Sequence, residues 1–228
     1  MSNNDNKNDS LIKLQMFRDF RKTWEFVEEV TLENRQDKIL TWFDFVSKWI
    51  AEWYKLMKFS EEQLGEEINI LPKGGNTQLF LRRGIELFLN LTWIQNCVLS
   101  GAYHQAIREL RYSLETMIQS YYLDINHPEA SLECKLEILK ELADLDRPIT
   151  AGNVIDKSKL DNKKKLKKLY KELSSYVHPS FTEIDSGVTT TMFRPKLFDL
   201  CLEFTNKVMN AIFNISKKWN EEMQKYIK

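Results

Sequence analysis

The chain of 228 residues predicts an all-α fold, an antiparallel helical bundle with an N-terminal helical pair and a long C-terminal helix. Three observations carry that expectation. Gly 7 and Pro 5 are few for this length, so little of the chain is interrupted by residues that helices reject. Apolar residues recur at spacings of three and four through most stretches, the period of a buried helical face. Strand alternation is nearly absent. With 43% hydrophobic side chains the chain can build one sizeable core, and one compact unit is expected.

Taken in order, residues 1–9 are polar and have nothing to bury, which predicts a disordered tail. Residues 10–60 form the N-terminal pair. Phe17, Phe20, Trp24 and Val27 mark its first helix, and a break is expected at Thr31 to Asn34. The second helix, from about Gln36 to Phe59, holds Trp42, Trp49 and Trp53, three of the six tryptophans, and is either a core element or a partner surface. Glu61 to Asn76 is the boundary before the main bundle, residues 77–228. Its Gly74-Gly75 pair is no phosphate loop, because no Gly-Lys-Ser/Thr follows and no strand precedes it.

Thr77 is placed to cap the helix carrying Phe80, Ile85, Leu89 and Trp93. Gly101 is read as the residue just past that helix, joining it to an antiparallel partner. The partner runs from Tyr103 to about Leu123, with Ala106, Ile107, Leu110, Leu114, Met117, Ile118 and Tyr121 on its buried face. Pro128 suits the first turn of the next helix, which carries Leu132, Leu136, Leu139 and Leu142. Ile149 to Leu160 is expected as a loop with at most a short helical turn. Asp161 or Asn162 caps a Lys-rich helix that ends at Pro179, and an extended loop leads to the terminal helix from Pro195 to Ile227. The stripe Leu197, Cys201, Phe204, Val208, Ile212, Ile215 and Trp219 on that helix closes the bundle or pairs with a second copy.

Lys+Arg 33 against Asp+Glu 33 leaves no global field to hold nucleic acid or an anionic membrane, so such binding requires a local patch. The run Lys163-Lys164-Lys165-Leu166-Lys167-Lys168 is one candidate. Cys97, Cys134 and Cys201 lack a paired spacing and no secretory segment opens the chain, which predicts core cysteines and a reduced, cytoplasmic location. Leu87 to Ile107 carries no charge yet holds too many Asn, Gln, Ser and Thr residues for a membrane span, so no membrane is expected. HExxH and CxxC are absent, and neither a metal nor a cofactor is expected.

Candidate chemistry lies on two helix flanks. His104, Arg108, Arg111 and Glu115 repeat at four, three and four, a stripe bordering the buried face. Lys171, Ser174 and His178 line a flank of the Lys-rich helix. If the flanks meet, they enclose a partly buried pocket in which cationic donors surround Glu115.

The hairpin Leu99-Ser-Gly-Ala-Tyr103, the pairs Leu110-Arg111 and Leu114-Glu115, and the later Tyr170-Lys-Glu-Leu-Ser-Ser-Tyr-Val-His178-Pro179 resemble helical domains of the HEPN superfamily over about residues 77–219. That resemblance implies a homodimer and metal-independent RNA cleavage by an Arg, four to six intervening residues and a His. Here Lys171 stands in the Arg position before His178. A guanidinium grips phosphate through a planar fork, an ammonium only as a point charge. The implied function is therefore a non-enzymatic or degenerate module that binds RNA, a nucleotide or a protein partner in a defence or stress system. Two alternatives stand beside it: a ribonuclease in which His178 moves the proton and Lys171 counters phosphate charge, and a purely structural interaction protein.

Overall fold

The computed structural model describes residues 3–57, 78–144, 151–177 and 193–223. Among them are seven helices and no strand, an all-α bundle: α1 (Asn3–Met57), α2 (Leu79–Leu99), α3 (Tyr103–Asn126), α4 (Leu132–Asp144), α5 (Ala151–Lys157), α6 (Lys163–Val177) and α7 (Pro195–Met223). Helix α3 is the axis, packing against α2, α5, α6 and α7. Its stripe of Ala106, Ile107, Leu110, Leu114, Ile118 and Tyr121 is fully buried, each large side chain contributing about 1.5–3 kcal/mol.

Gly101 sets the α2–α3 hairpin. Its φ of 78° is the left-handed conformation that costs glycine little. The turn returns Ala102 N–H to the Cys97 carbonyl at 2.7 Å and Gly101 N–H to Val98 at 3.3 Å, satisfying carbonyls that a helix end leaves open.

At the N-terminus the expected helical pair is present as two helices meeting at a kink, and the expected tail is helical backbone. The backbone is helical from Asn3, since extending an existing helix costs far less than starting one. The expected break falls one residue further on, at Arg35, whose φ of −139° and ψ of 18° leave the helical region and separate two helices. Thr31 and Asn34 donate to the carbonyls of Val27 at 2.7 Å and Val30 at 2.8 Å, and such back-bonding bends helices. Arg35 itself lies over the Phe193 ring at 5.6 Å, tying the bend to the segment that enters α7.

Beyond the bend, Ile39, Trp42, Val46, Trp49, Trp53 and Met57 are buried in the shared core. The Trp49 indole donates to the Met209 carbonyl at 2.9 Å and that of Trp53 to Ser216 Oγ at 2.8 Å. This tryptophan helix is core, not an open partner surface, and the α7 stripe from Cys201 to Trp219 is buried likewise, closing the bundle.

Several boundaries differ from the sequence-based expectation. Thr77 lies outside the described residues, and Gln78 at the start of α2 makes no side-chain cap. Helix α4 begins after Ser131, whose hydroxyl accepts from Cys134 N–H at 3.2 Å, several residues past Pro128. Residues 151–157 form the helix α5 rather than a single turn, because Val154 and Ile155 are buried. Cys97 and Cys201 are core residues, but Cys134 is exposed. Burial pushes the Cys97 thiol up to about 11 and raises that of Cys201.

Gly84 is fixed by packing. A Cβ there would meet Trp53 Cη2 at 2.5 Å and Cζ2 at 2.8 Å. Overpacking of this kind costs about 1–3 kcal/mol, and the Trp53 ring, bonded to Ser216, has little room to yield. Alanine recovers about 1 kcal/mol of helix propensity. Gly84→Ala is expected to destabilise the chain by about 1 kcal/mol net, seen as a lower urea midpoint at unchanged slope. Separately, a thiol reagent at mildly alkaline pH should modify Cys134 alone in the native chain and all three cysteines once it is denatured.

Candidate functional site

The polar flanks of α3 and α6 do meet, and Tyr170 is what joins them. Arg111 Nη2 donates to the Tyr170 hydroxyl at 2.6 Å. That hydroxyl donates to Glu115 Oε2 at 3.3 Å, and Arg111 and Glu115 form an ion pair at 3.7 Å. The guanidinium also lies over the Tyr170 ring, 5.0 Å from its centroid. Burial raises the Tyr170 pKa, with the Arg111 hydrogen bond opposing it, so the hydroxyl stays protonated at neutral pH. At the far end His104 Nδ1 is 3.2 Å from the Tyr176 carbonyl.

This arrangement differs from a cationic pocket. Arg111 is already countered by Glu115 and covered by an aromatic face, so its charge is largely internal to the seam. Arg108 is exposed on α3 and donates to Gln105 of its own helix at 3.1 Å. Lys171 is exposed, because Tyr170 takes the seam position and one residue of helix turns the next side chain about 100° away. Ser174 lies on the α6 flank, but its hydroxyl donates to the Tyr170 carbonyl at 2.7 Å. His178 lies outside the described residues. Of the candidates, the structure therefore brings Arg111 and Glu115 together around Tyr170, places His104 at the same seam, and leaves Arg108 and Lys171 on the surface.

A larger opening lies between α6 and α7, a groove of about 670 Å³. Its apolar floor includes Leu166, Leu169, Ala211 and Ile215. Its lips carry five lysines, Lys165, Lys168, Lys207, Lys217 and Lys218, against three acids, Asp161, Glu172 and Glu221, and two acids beyond the lining, Glu203 and Glu222, pair with Lys207 at 2.7 Å and Lys218 at 3.6 Å. The ion pairs there are long or exposed: Lys168 and Lys207 each reach Glu172 at 3.8 Å, and Lys218 reaches Glu221 at 3.9 Å. Such pairs contribute little and exchange readily for other anions. The Glu203 carboxylate raises the Lys207 pKa, keeping it cationic.

One polar centre escapes sequence reasoning altogether. Asp124 and Lys135 are both fully buried and pair at 2.9 Å. Asp124 also accepts from Leu79 N–H at 3.0 Å, Phe80 N–H at 2.9 Å and Trp219 Nε1 at 3.0 Å. Four donors from three other helices saturate one carboxylate, which caps α2 from a distance. Its role is structural, since it lies wholly in the core. Its only sequence signal is an acid inside the apolar run Tyr121-Tyr-Leu-Asp-Ile125.

Among the described residues no group of His, Cys, Asp or Glu could hold a metal ion, and no helix is long and apolar enough to cross a membrane. Comparison with family models, with curated proteins and with solved structures found no match.

Removing Lys135 leaves a buried carboxylate without its counter-charge, which costs about 3–5 kcal/mol. Lys135→Met should therefore lower the thermal midpoint far more than Lys171→Met, whose ammonium is exposed. Equal, small shifts would contradict the buried pair.

Proposed function

We propose that the chain is a non-enzymatic, HEPN-like cytoplasmic module that acts as a homodimer and binds RNA along the α6–α7 groove. The observation that carries the reading is the lysine-lipped groove itself, set beside a seam whose arginine is already neutralised. Lysine ammonium groups spaced along two helices suit a phosphate backbone, which needs repeated point charges rather than one planar fork. Among the described residues no aromatic side chain lines the groove, so they offer no base stacking and binding should be indifferent to sequence. A groove of this kind fits single-stranded RNA better than a mononucleotide, because one phosphate would engage only part of the lysine set.

The test is titration of a short single-stranded RNA against wild type, the pair Lys165→Glu with Lys168→Glu, and Arg111→Ala. The lysine pair should abolish binding, Arg111→Ala should leave it intact, and the logarithm of affinity should fall with that of salt by about 0.7 per phosphate neutralised. Full competition by a mononucleotide would make the ligand a nucleotide. No binding by wild type would leave an interaction protein.

One observation favours a second reading, a metal-independent ribonuclease. His104 contacts the carbonyl of Tyr176, two residues before His178 in the chain, and two imidazoles can divide acid and base duties in RNA cleavage. Incubation with RNA in a chelator separates the readings. Cleavage lost in His178→Ala supports the enzyme, and intact RNA in wild type removes it.

A further inference from the structure

Helix α2 turns its inner face to α3 and α1, while its outer face carries Ile85, Leu89 and Trp93, which are 36%, 72% and 46% exposed. They are four residues apart, so the three side chains form one stripe along the helix. Single exposed apolar residues are ordinary on a protein surface; a continuous stripe marks a contact. Beside Trp93 opens a cavity of about 400 Å³ whose lining includes Trp24 and Glu28 of α1 and Asn96 of α2.

We infer that this stripe is where two copies of the chain meet, α2 lying antiparallel against α2 of the second copy about a two-fold axis at Leu89. The stripe is symmetric about that residue, with Ile85 four positions before it and Trp93 four after. Antiparallel pairing sets Leu89 against its own counterpart and each Ile85 against the other copy's Trp93, a smaller side chain opposite a larger one, as a self-complementary contact requires. Each Ile85 then enters the cavity between Trp24 and Trp93.

Charge agrees with this register. Arg82 lies seven residues before Leu89 and Asn96 seven after, so the same axis brings Arg82 of one copy opposite Asn96 of the other, which lines the same cavity as Glu28. Glu25, on the same arm, is already held by Arg21 at 2.9 Å. Arg82 and Glu28 are both exposed, and neither forms an ion pair among the described residues. One surface thus supplies both halves of an apolar and an ionic match. The other candidate faces, the α7 stripe from Cys201 to Trp219 and Trp42, Trp49 and Trp53 of α1, are buried within the chain.

The inference deepens the two-copy part of the reading above and is independent of RNA binding. Sedimentation of the full chain from low to high micromolar concentration tests it with wild type, Leu89→Glu, Arg82→Glu, and Arg82→Glu combined with Glu28→Arg. Wild type should dimerise and Leu89→Glu should be monomeric with an unchanged helical spectrum. Arg82→Glu should weaken association several-fold, and the combined charge exchange should restore it. A wild-type monomer throughout overturns the two-copy reading itself. A dimer indifferent to Leu89→Glu keeps two copies but overturns this surface. A monomer that Leu89→Glu destabilises overturns it as well, showing that the stripe is covered within one chain.

Discussion

The buried carboxylate of Asp124 is the constraint on which the arrangement of the other helices depends. An ionised carboxylate in a protein interior loses several kcal/mol of hydration, and only a full set of donors offsets that loss. Here the donors come from the start of α2, from α4 and from α7, so forming the bonds fixes three helices against α3 at once. Phe80 stacks on Trp219 with centroids 5.2 Å apart and planes 16° from parallel, covering the centre with aromatic surface. The apolar stripes supply most of the stabilisation. The carboxylate supplies the register, because a shift of one residue in any of the three helices would leave a buried charge or donor unmatched.

From that fixed core the distribution of charge follows. Helix α6 docks on α3 through Tyr170, whose hydroxyl and ring together accommodate Arg111 and link it to Glu115. With Tyr170 turned inward, the lysines of α6 face solvent and the lips of the groove shared with α7. A chain of zero net charge thereby gains a lysine-lined strip without a positive interior. Proposed RNA binding rests on that segregation, as does the distinction between a binding groove and a catalytic seam.

Periodic features were legible in the sequence and singular ones were not. The α3 stripe, the tryptophan helix and the Gly101 hairpin all follow from spacing or from a backbone conformation that one residue type favours. Lys135 was illegible, because lysine is almost never fully buried unless paired, and its partner lies eleven residues away on another helix. Asp124 reads as one acid among many until its donors from distant segments are in place. Tyr170 carries no signal of its own in the sequence, and its hydroxyl decides the seam. Lys171 shows the converse: residue spacing places it at a motif position but does not say which of two neighbouring side chains points inward, and here Tyr170 does. The break between the two N-terminal helices was legible to within a residue, and it takes the form of a kink at Arg35 where Thr31 and Asn34 bond back to the preceding turn.

The central claim, that Asp124 caps α2 from across the core, concerns two amides. The first N–H groups of an isolated helix have no partner within it and exchange rapidly with solvent. If Asp124 holds Leu79 and Phe80 as described, their amides should exchange as slowly as those in the middle of α3 and open only with global unfolding. Exchange at the rate of a frayed helix end would contradict the account.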